Sequence, residues 1–125
     1  MPLTQIKTIL IDLLDLEESE IQPDSYLVRD LGVESIDFLE LAVTLNDTFQ
    51  VSVHDDTVFL RNLRLYLAEA EETGQAPEIL LQERYPFLSP QRLEEIVNDL
   101  DGGPVLEVRD LVSYIQWQQK TAIAA

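Results

Sequence analysis

The sequence predicts an all-α helical bundle in a single domain spanning residues 1–125. Apolar residues recur at i, i+3, i+4 and i+7 in successive segments, and no stretch alternates with period two for long enough to make a sheet. Proline, glycine and aspartate turns separate the periodic segments. Hydrophobic residues make up 46% of the chain and charged residues 26%, a balance that supports a packed core and argues against a disordered tail.

Residues 4–15 place Ile6, Ile9, Leu10, Leu13 and Leu14 on one face, with Thr4 as the expected N-cap of a first helix. Glu17 and Glu18 oppose a helix C-terminus and Pro23-Asp24-Ser25 is turn chemistry. A long loop is therefore expected over 16–34, pinned to the core by Tyr26, Leu27, Val28 and Leu31. A second helix runs from Ser35 to Phe49, with Phe38, Leu41, Ala42, Leu45 and Phe49 on one face and Asp37, Glu40, Thr44 and Asp47 on another. Asp55-Asp56-Thr57 opens a third helix carrying Leu60, Leu63 and Leu67 as far as Gly74. Pro77 and Pro86 are expected breaks, and Gln75-Ala76-Pro77 and Asp101-Gly102-Gly103-Pro104 are candidate linkers. Ser89-Pro90 supplies a cap and a first-turn proline for a helix bearing Leu93, Ile96, Val97 and Leu100. Val108, Leu111, Val112 and Ile115 form the stripe of a closing helix.

Twenty-four acidic against 8 basic residues give a net charge of −16, which repels nucleic acid phosphates and anionic lipid headgroups and favours basic protein surfaces. Residues 1–57 hold 13 acids and 2 bases. Such self-repulsion opposes the compact state, so the melting temperature is expected to rise with added salt or divalent cations. A midpoint that stays constant through a sodium chloride titration contradicts that expectation. No apolar run approaches the roughly 18 residues of a membrane span, and Lys7 is followed by Asp12 and Asp15 where a signal peptide is apolar. A soluble, cytoplasmic monomer without membrane insertion is expected. The chain has no cysteine, so disulfides, thiolate metal sites and cysteine nucleophiles are excluded, and any thiol chemistry must come from a cofactor.

The most informative segment is Asp30-Leu31-Gly32-Val33-Glu34-Ser35-Ile36-Asp37-Phe38-Leu39-Glu40-Leu41. It puts a serine hydroxyl where a glycine-containing loop becomes a helix. Backbone N–H groups and the positive end of the helix dipole there favour an attached phosphodiester. Beyond it, Asp37, Glu40 and Asp47 form an acidic stripe flanked by Ile36 and Val43, a surface suited to a basic partner with an apolar centre.

This segment resembles the phosphopantetheine attachment motif of acyl carrier proteins, in which an acidic residue, serine, an aliphatic residue and aspartate open the second helix. Pro23-Asp24-Ser25 and Asp30-Leu31-Gly32 are similar to the family's first loop, and Phe49 to Asp56 to the turn after its second helix. The stretch from Leu106 to Ile115 is similar to its last helix. The resemblance covers about 80 residues and leaves an apparent helical insert at about 58–104. It implies a carrier and not an enzyme: a transferase moves phosphopantetheine from coenzyme A to Ser35, and the arm then bears acyl groups as thioesters in fatty acid, lipid or polyketide synthesis.

By the same resemblance Glu34, Ile36, Asp37, Glu40, Val43 and Asp47 form the face recognised by the phosphopantetheinyl transferase and by acyl-transferring or acyl-modifying enzymes with basic patches. Phe38, Leu41, Leu45, Leu111 and Ile115 line the acyl pocket. Three positions depart from the family pattern: Glu34 stands where aspartate is usual, Asn46 where an acid is common, and Phe38 where smaller or polar residues occur. The departures and the insert suggest a specialised carrier.

Other readings stay open at this level. Ser35 is also a plausible plain N-cap, and the chain a carrier-like interaction subunit that is never loaded, or an aminoacyl or peptidyl carrier. His54, the only histidine, lies beyond the far end of the helix that Ser35 begins, a poor arrangement for a hydrolytic Ser35–His54–Asp55 set. Asp99, Asp101 and Gly102 resemble part of a calcium loop, but Val97 and Val108 occupy its first and twelfth ligand positions, so that motif fails; no metal is assigned, and only a loose cation site stays open. The insert carries Arg61, Arg64, Arg84 and Arg92, half of the basic residues. It either extends the core, shapes the acyl pocket, or docks a dedicated enzyme.

Overall fold

Helix α1 (Pro2–Leu14) begins two residues earlier than its apolar stripe predicts, because Pro2 suits a first helical turn. Thr4 consequently lies inside the helix and is not its cap; its carbonyl accepts the Thr8 hydroxyl at 3.1 Å. The computed structural model describes residues 2–124. Among them are six further α-helices: α2 (Ser35–Phe49), α3 (Asp55–Val58), α4 (Leu63–Thr73), α5 (Pro77–Arg84), α6 (Pro90–Asp99) and α7 (Val108–Ala124). Helix α1 packs on α2 and α7, α3 touches α7, and α4, α5 and α6 pack in sequence. The all-α expectation therefore holds.

Three local expectations fare differently. Ser89 caps α6 as read from the sequence, its hydroxyl accepting the Arg92 amide at 3.1 Å. The expected helix from Asp55 to Gly74 is instead two helices, because Leu60 takes a left-handed backbone with φ of 55°. That conformation costs a leucine about 1–2 kcal/mol, but it turns an apolar side chain into the core, where Leu60 is buried beside Val58 and Phe59. Pro77, expected as a break, occupies the first turn of α5, where its missing N–H is no loss.

The stretch 58–104, read from sequence as an insert, is not an appendage. Phe59, Leu60, Leu63, Leu81, Tyr85, Phe87, Leu88, Leu93 and Ile96 belong to the same buried cluster as Ile6 and Leu10 of α1, Leu41 and Leu45 of α2, and Leu111 and Ile115 of α7. An aromatic chain links Tyr66, Tyr85, Phe87, Tyr114 and Trp117, running from α4 to α7.

Loop 16–34 is tied down by main-chain bonds to the segment before α7. Leu27 donates to Leu106 O at 3.0 Å, Val108 to Ser25 O at 3.0 Å and Arg109 to Pro23 O at 2.8 Å. Tyr26 and Glu107 thereby form a single antiparallel bridge. A polar clasp joins the same loop to the end of α6. The Tyr26 hydroxyl and Arg29 Nη1 both donate to Asp99, and Arg29 Nη2 donates to Gly103 O at 2.8 Å. The carboxylate read from sequence as part of a loose cation site is thus spent on a guanidinium.

The hydrogen bond from Tyr26, and then that from Arg29, hold the Asp99 carboxyl below its ordinary value. Its contribution to stability is therefore present above the unfolded-state value and is lost as the pH falls through the lower folded value. Asp99→Asn is expected to flatten the acid limb of the stability profile, measured as urea midpoints from neutral to acidic pH. An unchanged acid limb contradicts this.

Candidate functional site

Within the loop that precedes α2, Asp30 Oδ2 accepts the Tyr26 amide at 2.9 Å, while Asp30 N and Leu31 N both donate to Tyr26 O. Gly32 then turns the chain with φ of 73°, a conformation that favours glycine. Val33 drops into the core and donates to Leu27 O at 2.9 Å. These bonds leave Glu34 extended as the N-cap and Ser35 as the first residue of α2.

The cap is made without the serine. Glu34 N donates to Asp37 Oδ2 at 2.9 Å, and Glu34 O accepts the Phe38 amide at 3.2 Å. Ser35 is exposed, and its hydroxyl makes no hydrogen bond among the described residues. The plain N-cap reading of Ser35 is therefore incorrect. What stands there is an uncommitted hydroxyl at the positive end of a 15-residue helix, beside first-turn amides that have no acceptor within the helix. An anion bonded to that oxygen fits without displacing any partner.

Helix α2 carries two apolar stripes. Leu41 and Leu45 face the core at 0% exposure, whereas Ile36, Leu39 and Val43 stand 71%, 61% and 62% exposed. The exposed set falls at i, i+3 and i+7, with Glu40 and Asp47 exposed on the same helix. Leu39 was missed by the sequence reading, although its spacing of three from Ile36 and four from Val43 places it on their face. Asp37, half-buried, divides its position between this face and the cap.

A cleft of about 430 Å³ lies between α2 and the insert, within the roughly 300–1,000 Å³ typical of small-molecule sites. Val28, Phe38, Phe59, Leu60, Leu63, Leu100, Gly103, Pro104, Val105 and Leu106 line it. Arg61 and Arg64 supply its charge. The Phe38 and Phe59 rings meet with centroids 4.7 Å apart, so the bulky residue one turn after Ser35 packs on the insert. Of the five residues expected to line an acyl pocket, only Phe38 lines this cleft. Leu41, Leu45, Leu111 and Ile115 are all fully buried and fill the core between α1, α2 and α7 instead. The cleft residues contributed by the insert were not legible as a site, since Leu60 and Leu63 read as an ordinary helix stripe.

His54 donates its backbone N–H to the Tyr114 hydroxyl at 3.0 Å and has no side-chain hydrogen bond to Ser35 or Asp55 among the described residues. No helix among the described residues is long and apolar enough to cross a membrane.

Residues 4–65 match the family described as the phosphopantetheine attachment site. An acyl carrier protein of Solidesulfovibrio magneticus is 35% identical over 52 residues, which span 42% of this chain and 67% of that protein. No solved structure matches. The family match contains the loop, the exposed serine and all of α2, and it runs on to residue 65, into the stretch read from sequence as an insert. With a loop that delivers an unengaged serine to a helix start, and a relative 35% identical over the 52 residues aligned, the chain belongs to the acyl carrier protein family and carries its phosphopantetheine attachment domain.

Proposed function

We propose that Ser35 bears the phosphopantetheine arm and that the chain carries acyl groups between enzymes of a specialised fatty acid, lipid or polyketide pathway, as a cytoplasmic monomer. The carrying observation is the exposed Ser35 hydroxyl, free of any capping duty, at the start of α2. When attached, the arm supplies the thiol that this cysteine-free chain lacks.

The chain's own residues do the rest. Amides of the first turn of α2 stabilise the phosphodiester. Ile36, Leu39 and Val43, with Glu34, Glu40 and Asp47 about them, offer an apolar centre with an acidic rim to transferases and acyl-modifying enzymes bearing basic patches. The cleft behind Phe38 shelters the acyl group, and the insert, by supplying two thirds of its lining residues, sets which groups fit.

Incubation with coenzyme A and a broad-specificity phosphopantetheinyl transferase, followed by intact mass measurement, tests the reading. One phosphopantetheinyl group added to the whole population is expected. No mass gain refutes the reading in favour of an interaction subunit that is never loaded.

A further inference from the structure

The cleft beside α2 is apolar except for two residues, and both are arginines, in a protein whose acids outnumber its bases 24 to 8. The other four arginines are each engaged: Arg29 with Asp99, Arg84 with Glu69, Arg92 with Asp110 and Arg109 with Glu95, all within 3.3 Å. Arg64 has no ion pair and no side-chain hydrogen bond among the described residues. Arg61 has only a 3.8 Å approach to Asp55, with both side chains nearly half exposed, a pairing worth little in water. Abundant carboxylates thus leave one of these cations unpaired and the other only weakly paired at the edge of an apolar cleft. An apolar wall with an unpaired guanidinium at its edge is complementary to an apolar chain that ends in an anion.

Resting on the carrier reading above, we propose that the cleft selects an acyl group with a carboxylate on its far end, the apolar part lying against Phe38, Phe59 and Leu63 and the carboxylate meeting Arg64 and Arg61. The cargo class is then a dicarboxylic acid held through one carboxyl as the thioester. Neither arginine belongs to the loading site at Ser35, so the selection is separable from loading.

The full chain is loaded with hexanoyl and, separately, adipoyl phosphopantetheine from the matching coenzyme A thioesters, and thioester cleavage by hydroxylamine is followed by mass. Rates are normalised to those of the free coenzyme A thioesters. The adipoyl form is expected to be cleaved about fivefold more slowly than the hexanoyl form, a modest preference of the size partly exposed charge pairs supply. The preference should fade in high salt and vanish in the Arg61→Gln, Arg64→Gln double variant, whose fold is checked by circular dichroism. Arg64→Gln alone, which keeps the Arg61 approach to Asp55, should lose most of it. Equal rates for the two forms in the parent, or a preference that survives the double variant, overturn the proposal. If the double substitution lowers the melting temperature of the loaded, unacylated form more than that of the unloaded chain, the anion met is the arm's own phosphate and the proposal fails. Absence of loading is seen in the mass spectrum before any cleavage and refutes the carrier reading instead.

Discussion

Ser35→Ala is expected to abolish the mass gain completely while leaving folding stability within about 0.5 kcal/mol of the parent. The two halves of this result have separate causes. Loading needs an oxygen nucleophile at the start of α2, and alanine has none. Stability is spared because the cap is built by Glu34 and Asp37, the serine hydroxyl has no hydrogen bond, and the side chain is exposed. Alanine is also the better helix former, which offsets small losses. Were Ser35 the cap, its removal would cost about 1 kcal/mol. Intact mass together with urea unfolding therefore distinguishes a modification site from a capping residue. A variant that still gains mass assigns the arm to another residue, and one destabilised by a full cap's worth contradicts the geometry.

Arg92→Met is expected to have the largest effect on stability, a loss of about 3–5 kcal/mol, the range for breaking a buried ion pair from one side. Arg92 is 6% exposed, Glu107 4% and Asp110 1%. Its Nε donates to Asp110 Oδ1 at 2.8 Å, its Nη2 to Asp110 Oδ2 at 2.7 Å and to Val105 O at 2.8 Å, and Glu107 Oε2 lies 2.9 Å away. Removing the guanidinium leaves the buried Asp110 carboxylate without a cation, takes from Glu107 one of its two, the other being Arg109 at 2.9 Å, and frees the Val105 carbonyl. Burial already raises the Glu107 carboxyl above its ordinary value with Arg92 and Arg109 beside it. Losing one of those cations raises it further, so the deficit should shrink as the pH falls and the Glu107 carboxyl takes up a proton. Arg92→Lys is not expected to rescue, because a single ammonium cannot replace the forked contact with Asp110. Urea unfolding at neutral and acidic pH measures both effects. A loss below about 1 kcal/mol would mean that the network behaves like a surface pair.

The same network explains why the insert cannot be treated as a separable module. Arg92 lies in α6, and its carboxylate partners lie at the start of α7, so the insert and the closing helix share one buried polar junction. In sequence Arg92 is one of four arginines in the insert, with nothing to set it apart from the other three. Only its position opposite Asp110 makes it interior.

Helix existence was legible wherever a single apolar face runs its full length. Ile6 and Leu10 of α1, Leu93 and Ile96 of α6, and Leu111 and Ile115 of α7 are all buried at the positions that period predicts. Local chemistry was equally legible at Ser89, where capping depends on a hydroxyl three residues from its donor. Where one segment obeys two rules, sequence was insufficient. Leu60 continues a helical stripe but sits in a left-handed turn, since burying it yields more than continuing the helix would. Pro77 serves equally as a breaker or as a first-turn residue, and the neighbours of α5 decide.

The feature most central to function divides in the same way. Sequence alone determined that a serine stands at the junction of a glycine-containing loop and a helix, within an acidic segment of a cysteine-free chain, because those are properties of residue order and spacing. Tertiary structure decided that the hydroxyl is uncommitted, that Ile36, Leu39 and Val43 are the outward stripe of α2, and that the space beside it is walled by the insert and edged by Arg61 and Arg64. A period of 3.6 residues marks which side chains share a face, but only the partners packed around a helix determine which face meets water.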